Sequence, residues 1–234
     1  MKKLEFAWQL LLNPATAFQA LKEKPNFWFP LIVISVLTAA TFVWFYSIVD
    51  FPWLRDQILS NGSQYEKMTA AQREQASGML SKNMMMWSTV IGAVVVLPIV
   101  RLLEALYYLF IGKLTRLEVN FKQWFALTCW SGFPAILAVA LMWVVILLRS
   151  DGRITPDALS ILSLNELIFH VPLGHKWHGL LTSVTILNPY VWWLTVVGVK
   201  VFSQRSTTYS AVVVIVPLAL IYAGWATFTH LFAG

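Results

Sequence analysis

Charge is what this sequence has least of. Asp, Glu, Lys and Arg together fill 12% of its 234 positions, about half the quarter share of an ordinary soluble domain. That excludes a water-facing globular enzyme, whose surface needs far more polar cover. Cysteine is nearly absent as well. Cys129 stands alone inside an apolar stretch, so no intrachain disulfide can form and the redox compartment is left open. There is no Gly-rich phosphate loop and no His-Glu-x-x-His zinc pair, so no cofactor is expected. No basic cluster is dense enough for nucleic acid.

What is present is apolar and aromatic. Hydrophobic residues make up 58% of the chain and mean hydropathy is +0.67. Twelve Trp, fifteen Phe and seven Tyr suit the aromatic belts at the two faces of a bilayer. The fold class that follows is all-α: a polytopic integral membrane protein, a bundle of about five transmembrane helices preceded by an amphipathic N-terminal helix.

The expected organisation is an interfacial arm over 1–26 and a membrane domain over 27–234. Five stretches approach the roughly 20 apolar residues that a crossing needs: 27–49, 84–112, 124–148, 180–203 and 209–232. The fourth is interrupted by Asn188-Pro189, a strong helix-start signal. Its core helix should begin there, leaving 180–187 as a short dipping piece. Pro98 and Pro134 lie inside spans and should distort them.

Met1-Lys2-Lys3, then Leu10-Leu11-Leu12 and Ala15-Thr16-Ala17, imitate a cleaved secretory signal. Glu5, Gln9 and Asn13-Pro14 break the apolar run that such a signal requires. We read the segment as an uncleaved amphipathic arm with Leu4, Trp8, Leu11, Ala15 and Phe18 on its apolar stripe.

Orientation follows from alternating loops. The arm and loops 113–123 and 200–208 carry Lys2, Lys3, Lys22, Lys24, Lys113, Arg116, Lys122, Lys200 and Arg205 against Glu5, Glu23 and Glu118. The opposite loops balance seven basic against seven acidic residues. The positive-inside rule then places the N-terminus in the cytoplasm and the C-terminus outside.

Few residues could carry chemistry. Arg101 and Glu104 fall inside the second span, and their i,i+3 spacing puts them on one face, with Tyr108 a turn further along. A charge at mid-membrane costs about 2.5–3.5 kcal/mol on insertion scales, so neither should face lipid. Two readings stand: a paired polar lock that fixes packing or partner choice, and a polar pathway for a substrate. Glu166, His170, His175 and His178 offer nitrogen and oxygen ligands. Pro172 and Gly174 break any single helix between them, and no metal site is expected. Ser131-Gly132 with His230 suggests a serine nucleophile and base, but nothing orients the imidazole, and Ser-Gly in a span usually marks close packing. No enzyme is expected.

Several segments resemble the Yip family, the Ypt/Rab-interacting membrane proteins, and its bacterial branch. They are Leu12-Asn13-Pro14-Ala15-Thr16-Ala17-Phe18, Lys22-Glu23-Lys24-Pro25 and Trp28-Phe29-Pro30. Trp130-Ser131-Gly132-Phe133-Pro134 is similar to the family's small-residue-then-proline pattern. Leu181-Thr182-Ser183, Asn188, Trp192 and Val197-Gly198-Val199 look like the approach to its fourth span. The resemblance implies five spans with a cytoplasmic N-terminus; eukaryotic members are implicated in vesicle traffic and Rab GTPase binding. The expected role is a non-enzymatic scaffold or membrane-organising factor of a bacterial inner membrane. A small transporter or lipid-handling protein built on Arg101 and Glu104 is the alternative. Expected partners are the lipid bilayer and other membrane proteins or further copies of the chain.

Overall fold

The computed structural model describes residues 3–61, 68–149 and 151–232. The sequence also reads as a turn at Ser60-Asn61-Gly62 and a polar helix-forming run from Tyr65 to Leu80; Gly62 and residues 65–67 of these, with Lys2, lie outside the described residues. In chain order the helices are α1 (Lys3–Leu12), α2 (Pro14–Glu23), α3 (Trp28–Ile48), α4 (Phe51–Ser60), α5 (Ala70–Met79), α6 (Lys82–Ile91), α7 (Leu97–Leu114), α8 (Phe121–Ser131), α9 (Ile136–Leu148), α10 (Pro156–Leu159), α11 (His178–Ser183), α12 (Asn188–Ser203) and α13 (Thr207–Phe232). Among the described residues there is no β-strand; one isolated bridge pairs Ser163 with Thr185.

Among the described residues four helical stretches are long and apolar enough to cross a membrane: Trp28–Ile48, Lys82–Leu114, Phe121–Leu148 and Thr207–Phe232. The fifth expected span is shorter. α12 begins at Asn188, as the Asn-Pro signal predicts, and holds 16 residues. At 1.5 Å per residue that is about 24 Å, less than the roughly 30 Å hydrocarbon core.

Proline shapes these helices by removing a backbone donor, which leaves the carbonyl four residues earlier without its helical partner. The orphans are handled in three ways. Before Pro98 the helix widens into a π turn over Gly92–Val96. At Pro134 it breaks, with a 3₁₀ turn over Phe133–Ala135 between α8 and α9. Pro217 stays inside an unbroken α13, and the Tyr107 hydroxyl donates to the freed Val213 carbonyl at 2.9 Å. Likewise Pro30 frees the Asn26 carbonyl, which accepts from Trp130 Nε1 at 2.7 Å.

The chain divides into two compact units. The first holds 1–35, 95–135 and 187–222. Its core joins Phe6, Leu10, Phe18 and Leu21 of the arm to Trp124 and Leu127 of α8 and Leu194, Val199 and Phe202 of α12. Gly198 allows this packing, since a Cβ there would sit 3.1 Å from Leu127 and 3.2 Å from Phe18. The arm therefore packs as part of this unit, and of the expected stripe Phe18 is the residue it buries there. Leu4, Trp8 and Leu11 are exposed, whereas Phe6, Leu10, Ala17, Phe18 and Leu21 are buried. A single helical period does not survive the Asn13-Pro14 break, where Asn13 caps α2 through Thr16 N. Each half of the arm has its own buried face.

The second unit holds 36–94, 136–186 and 223–234. Its core is Phe45, Tyr46, Val49, Leu54, Ile146, Ile154 and Leu159. The end of α3 is tied to the loop after α9 by Asp50 N donating to Gly152 O at 2.9 Å. Asp50 also caps α4 through Trp53 N.

Candidate functional site

Arg101 and Glu104 meet as their spacing requires. Arg101 Nη1 lies 2.7 Å from Glu104 Oε2. The same guanidinium rests against Gly132, where a Cβ would come within 2.8 Å of Arg101 Cζ and Nη2. Gly132 terminates α8, because Pro134 cannot continue the helix. The guanidinium thus sits at the negative end of a helix dipole inside the span, where a cation is favoured. Thr128 of α8 adds a hydrogen bond from Oγ1 to Arg101 O at 3.2 Å. Broken helices of this sort are tolerated in membranes where protein groups satisfy the freed backbone.

Tyr108 takes a different place. It is buried in aromatic packing, 5.2 Å from the Tyr107 ring and 5.6 Å from Trp124, and Trp124 in turn packs 5.7 Å from Phe202. The space beside Arg101 is small, about 30 Å³, lined by residues that include Leu31, Leu97, Cys129 and Gly132. That is room for about one water molecule. The Arg101 side chain remains 23% exposed and Glu104 36%, so part of each faces outward from the chain. Ser131 Oγ is buried without a hydrogen-bond partner; no imidazole is bonded to it.

The histidines belong to the second unit. His178 is buried, with Nε2 3.1 Å from Asp157 Oδ1, close in distance but not aligned as a hydrogen bond. His170 sits in the left-handed region at φ 53° and ends a π turn over Asn165–Phe169. The buried Asn165 side chain holds that loop by bonding both Val171 N and Val171 O. A cleft of about 810 Å³ opens here, with Gln57, Asn61, Asp157, Glu166 and His170 among its lining residues. Among the described residues no three of His, Cys, Asp and Glu converge as metal ligands would.

Two features escaped the sequence reading. Ser131-Gly132 reads as a close-packing pair, but what packs on Gly132 is a charge. The Gly-Phe-Pro run directly after an apolar helix was the available signal. The Asp157–His178 contact joins residues on opposite sides of a turn-rich loop, and no spacing announces it.

The family model of the Yip1 domain matches residues 8–228. No curated protein and no solved structure matches the chain.

Proposed function

Because this chain belongs to the Yip1 domain family of membrane proteins, we propose that it is a non-enzymatic scaffold or membrane-organising factor of a bacterial inner membrane. The observation that carries this reading is the small space beside the polar pair. Arg101 adjoins about 30 Å³ of space, whereas ligand pockets run to about 300–1,000 Å³. A transport or lipid-handling route through Arg101 and Glu104 would need a continuous wet path. Only 6% of the most apolar window of the long α6–α7 stretch is buried within the chain. Lipid, another membrane protein or a second copy must cover the remainder.

Capture in native lipid particles tests this. The wild-type chain and an Arg101→Met/Glu104→Leu double variant should recover the same membrane-protein partner, or a second copy, in near-equal yield. A wild-type chain that moves solute or lipid in proteoliposomes, beside a double variant that folds but does not, would overturn it.

We also assign the N-terminus to the cytoplasm. The three basic segments gather at one end of the first unit. Lys22 Nζ donates to Phe202 O at 2.8 Å, Gln123 Nε2 to Lys22 O at 2.8 Å, and Arg205 Nη2 to Thr115 O at 3.3 Å. The positive-inside rule gives that end to the cytoplasm. Ser60→Cys and Ser206→Cys, made singly in a Cys129→Ala background, should label differently with an impermeant thiol reagent in intact cells. Position 60 should react and position 206 should be protected; the reverse pattern would invert the topology.

A further inference from the structure

The first unit carries an open groove of about 1,350 Å³ between α2 and α12. The two helices run parallel. Phe18 packs at Gly198 and Lys22 bonds Phe202 O, the same offset along both helices, so Pro14 lies level with Leu194. The groove is therefore graded along its length. At the Pro14 end its walls are Leu12, Pro14, Trp193 and Val197; at the other end stand Lys22, Lys200 and Arg205 with Glu23. Trp193, Val197 and Lys200 share one face of α12, so about 10 Å separates the first from the last at 1.5 Å per residue.

We infer that this groove holds a glycerophospholipid with an anionic headgroup, its phosphate at Lys22 and Lys200 and an acyl chain along Trp193. Three cations against one carboxylate give the polar end the sign that such a headgroup requires. Lys200 is exposed with its ammonium free to turn inward. The Lys22 ammonium spends one donor on the Phe202 carbonyl and retains two of its three. That bond also offsets the negative end of the α12 dipole, which would otherwise repel an anion. An aqueous anion would have no use for the apolar half. A neutral lipid would have none for the cations.

Trp193 is 47% exposed and serves as the reporter, its signal isolated by difference from a Trp193→Phe variant. The protein is reconstituted with acyl-brominated phosphatidylglycerol or acyl-brominated phosphatidylcholine. Trp193 should be quenched at a lower mole fraction of the anionic lipid. One cation near a membrane surface is worth roughly fivefold in affinity for acidic lipid. Lys200→Gln should therefore raise the half-quenching mole fraction about fivefold, and Glu23→Gln should lower it by about the same factor. Lys24→Gln, exposed but outside the groove, should leave it unchanged. Equal quenching by the two lipids would reduce the groove to ordinary lipid contact and overturn the assignment. So would a Trp193 signal that neither lipid reaches, which would mean protein covers it. An equal response to Lys24→Gln and Lys200→Gln would overturn it too, by assigning the preference to general surface potential.

Discussion

Arg101→Met should destabilise the protein in detergent by up to about 3 kcal/mol, the lower end of the penalty for breaking a buried ion pair from one side, because this pair is only part-buried. The substitution leaves the Glu104 carboxylate in an apolar span without its countercharge at 2.7 Å. Glu104→Leu should cost less, because Arg101 keeps its seat at the end of α8, and a helix terminus stabilises a cation by up to about 2 kcal/mol. The double variant should recover much of the Arg101→Met loss, since joint apolar replacement of such a pair is often neutral. The measurement is a double-mutant cycle on melting temperature. Additive losses would show that the two residues act independently, and equal single losses would show that Gly132 and α8 contribute nothing to holding Arg101.

Gly152→Ala should cost about 3 kcal/mol, by a mechanism of backbone shape. Gly152 has φ +67°, and a Cβ there would stand 2.7 Å from the Ile48 carbonyl oxygen and 3.2 Å from Asp50 N. A left-handed backbone costs a non-glycine residue about 1–3 kcal/mol, and the blocking atoms are main chain that cannot swing aside. Relief would have to pull Asp50 N from Gly152 O and disturb the Asp50 cap on α4. Gly78→Ala is the control. It lies inside α5 with nothing within 4 Å of its would-be Cβ, and alanine should be neutral there or stabilise by up to about 1 kcal/mol. Comparable melting temperatures for the two variants would show that the Gly152 junction is not rigid.

The fold was largely legible because lipid makes simple demands. Apolar length alone located the four long helical stretches, and Asn188-Pro189 located the start of α12, since proline is tolerated in the first turn of a helix, where its missing N–H has no helical partner to lose. The pairing of Arg101 with Glu104 followed from helical spacing. What stayed hidden depended on long-range packing. The faces that the arm buries within the chain are set by α8 and α12, about a hundred residues away or more, so its internal periodicity did not single out Phe6 and Leu10. The seat of Arg101 depends on where α8 stops, and the share that Tyr107 takes in relieving Pro217 depends on α7 meeting α13. Neither is written in any local pattern.

The docking of α2 on α12 also sets a schedule. Residues 18 and 22 leave the ribosome long before their partners at 198 and 202. At about 5–20 residues per second, the arm waits roughly 10–40 s for the helix it will rest on. Through that interval Phe18 and Leu21, fully sheltered in the finished protein, must find temporary cover at the bilayer surface or on a chaperone. The arm is thus made well before it is secured, and this contact closes the first unit only once α12 has been synthesised.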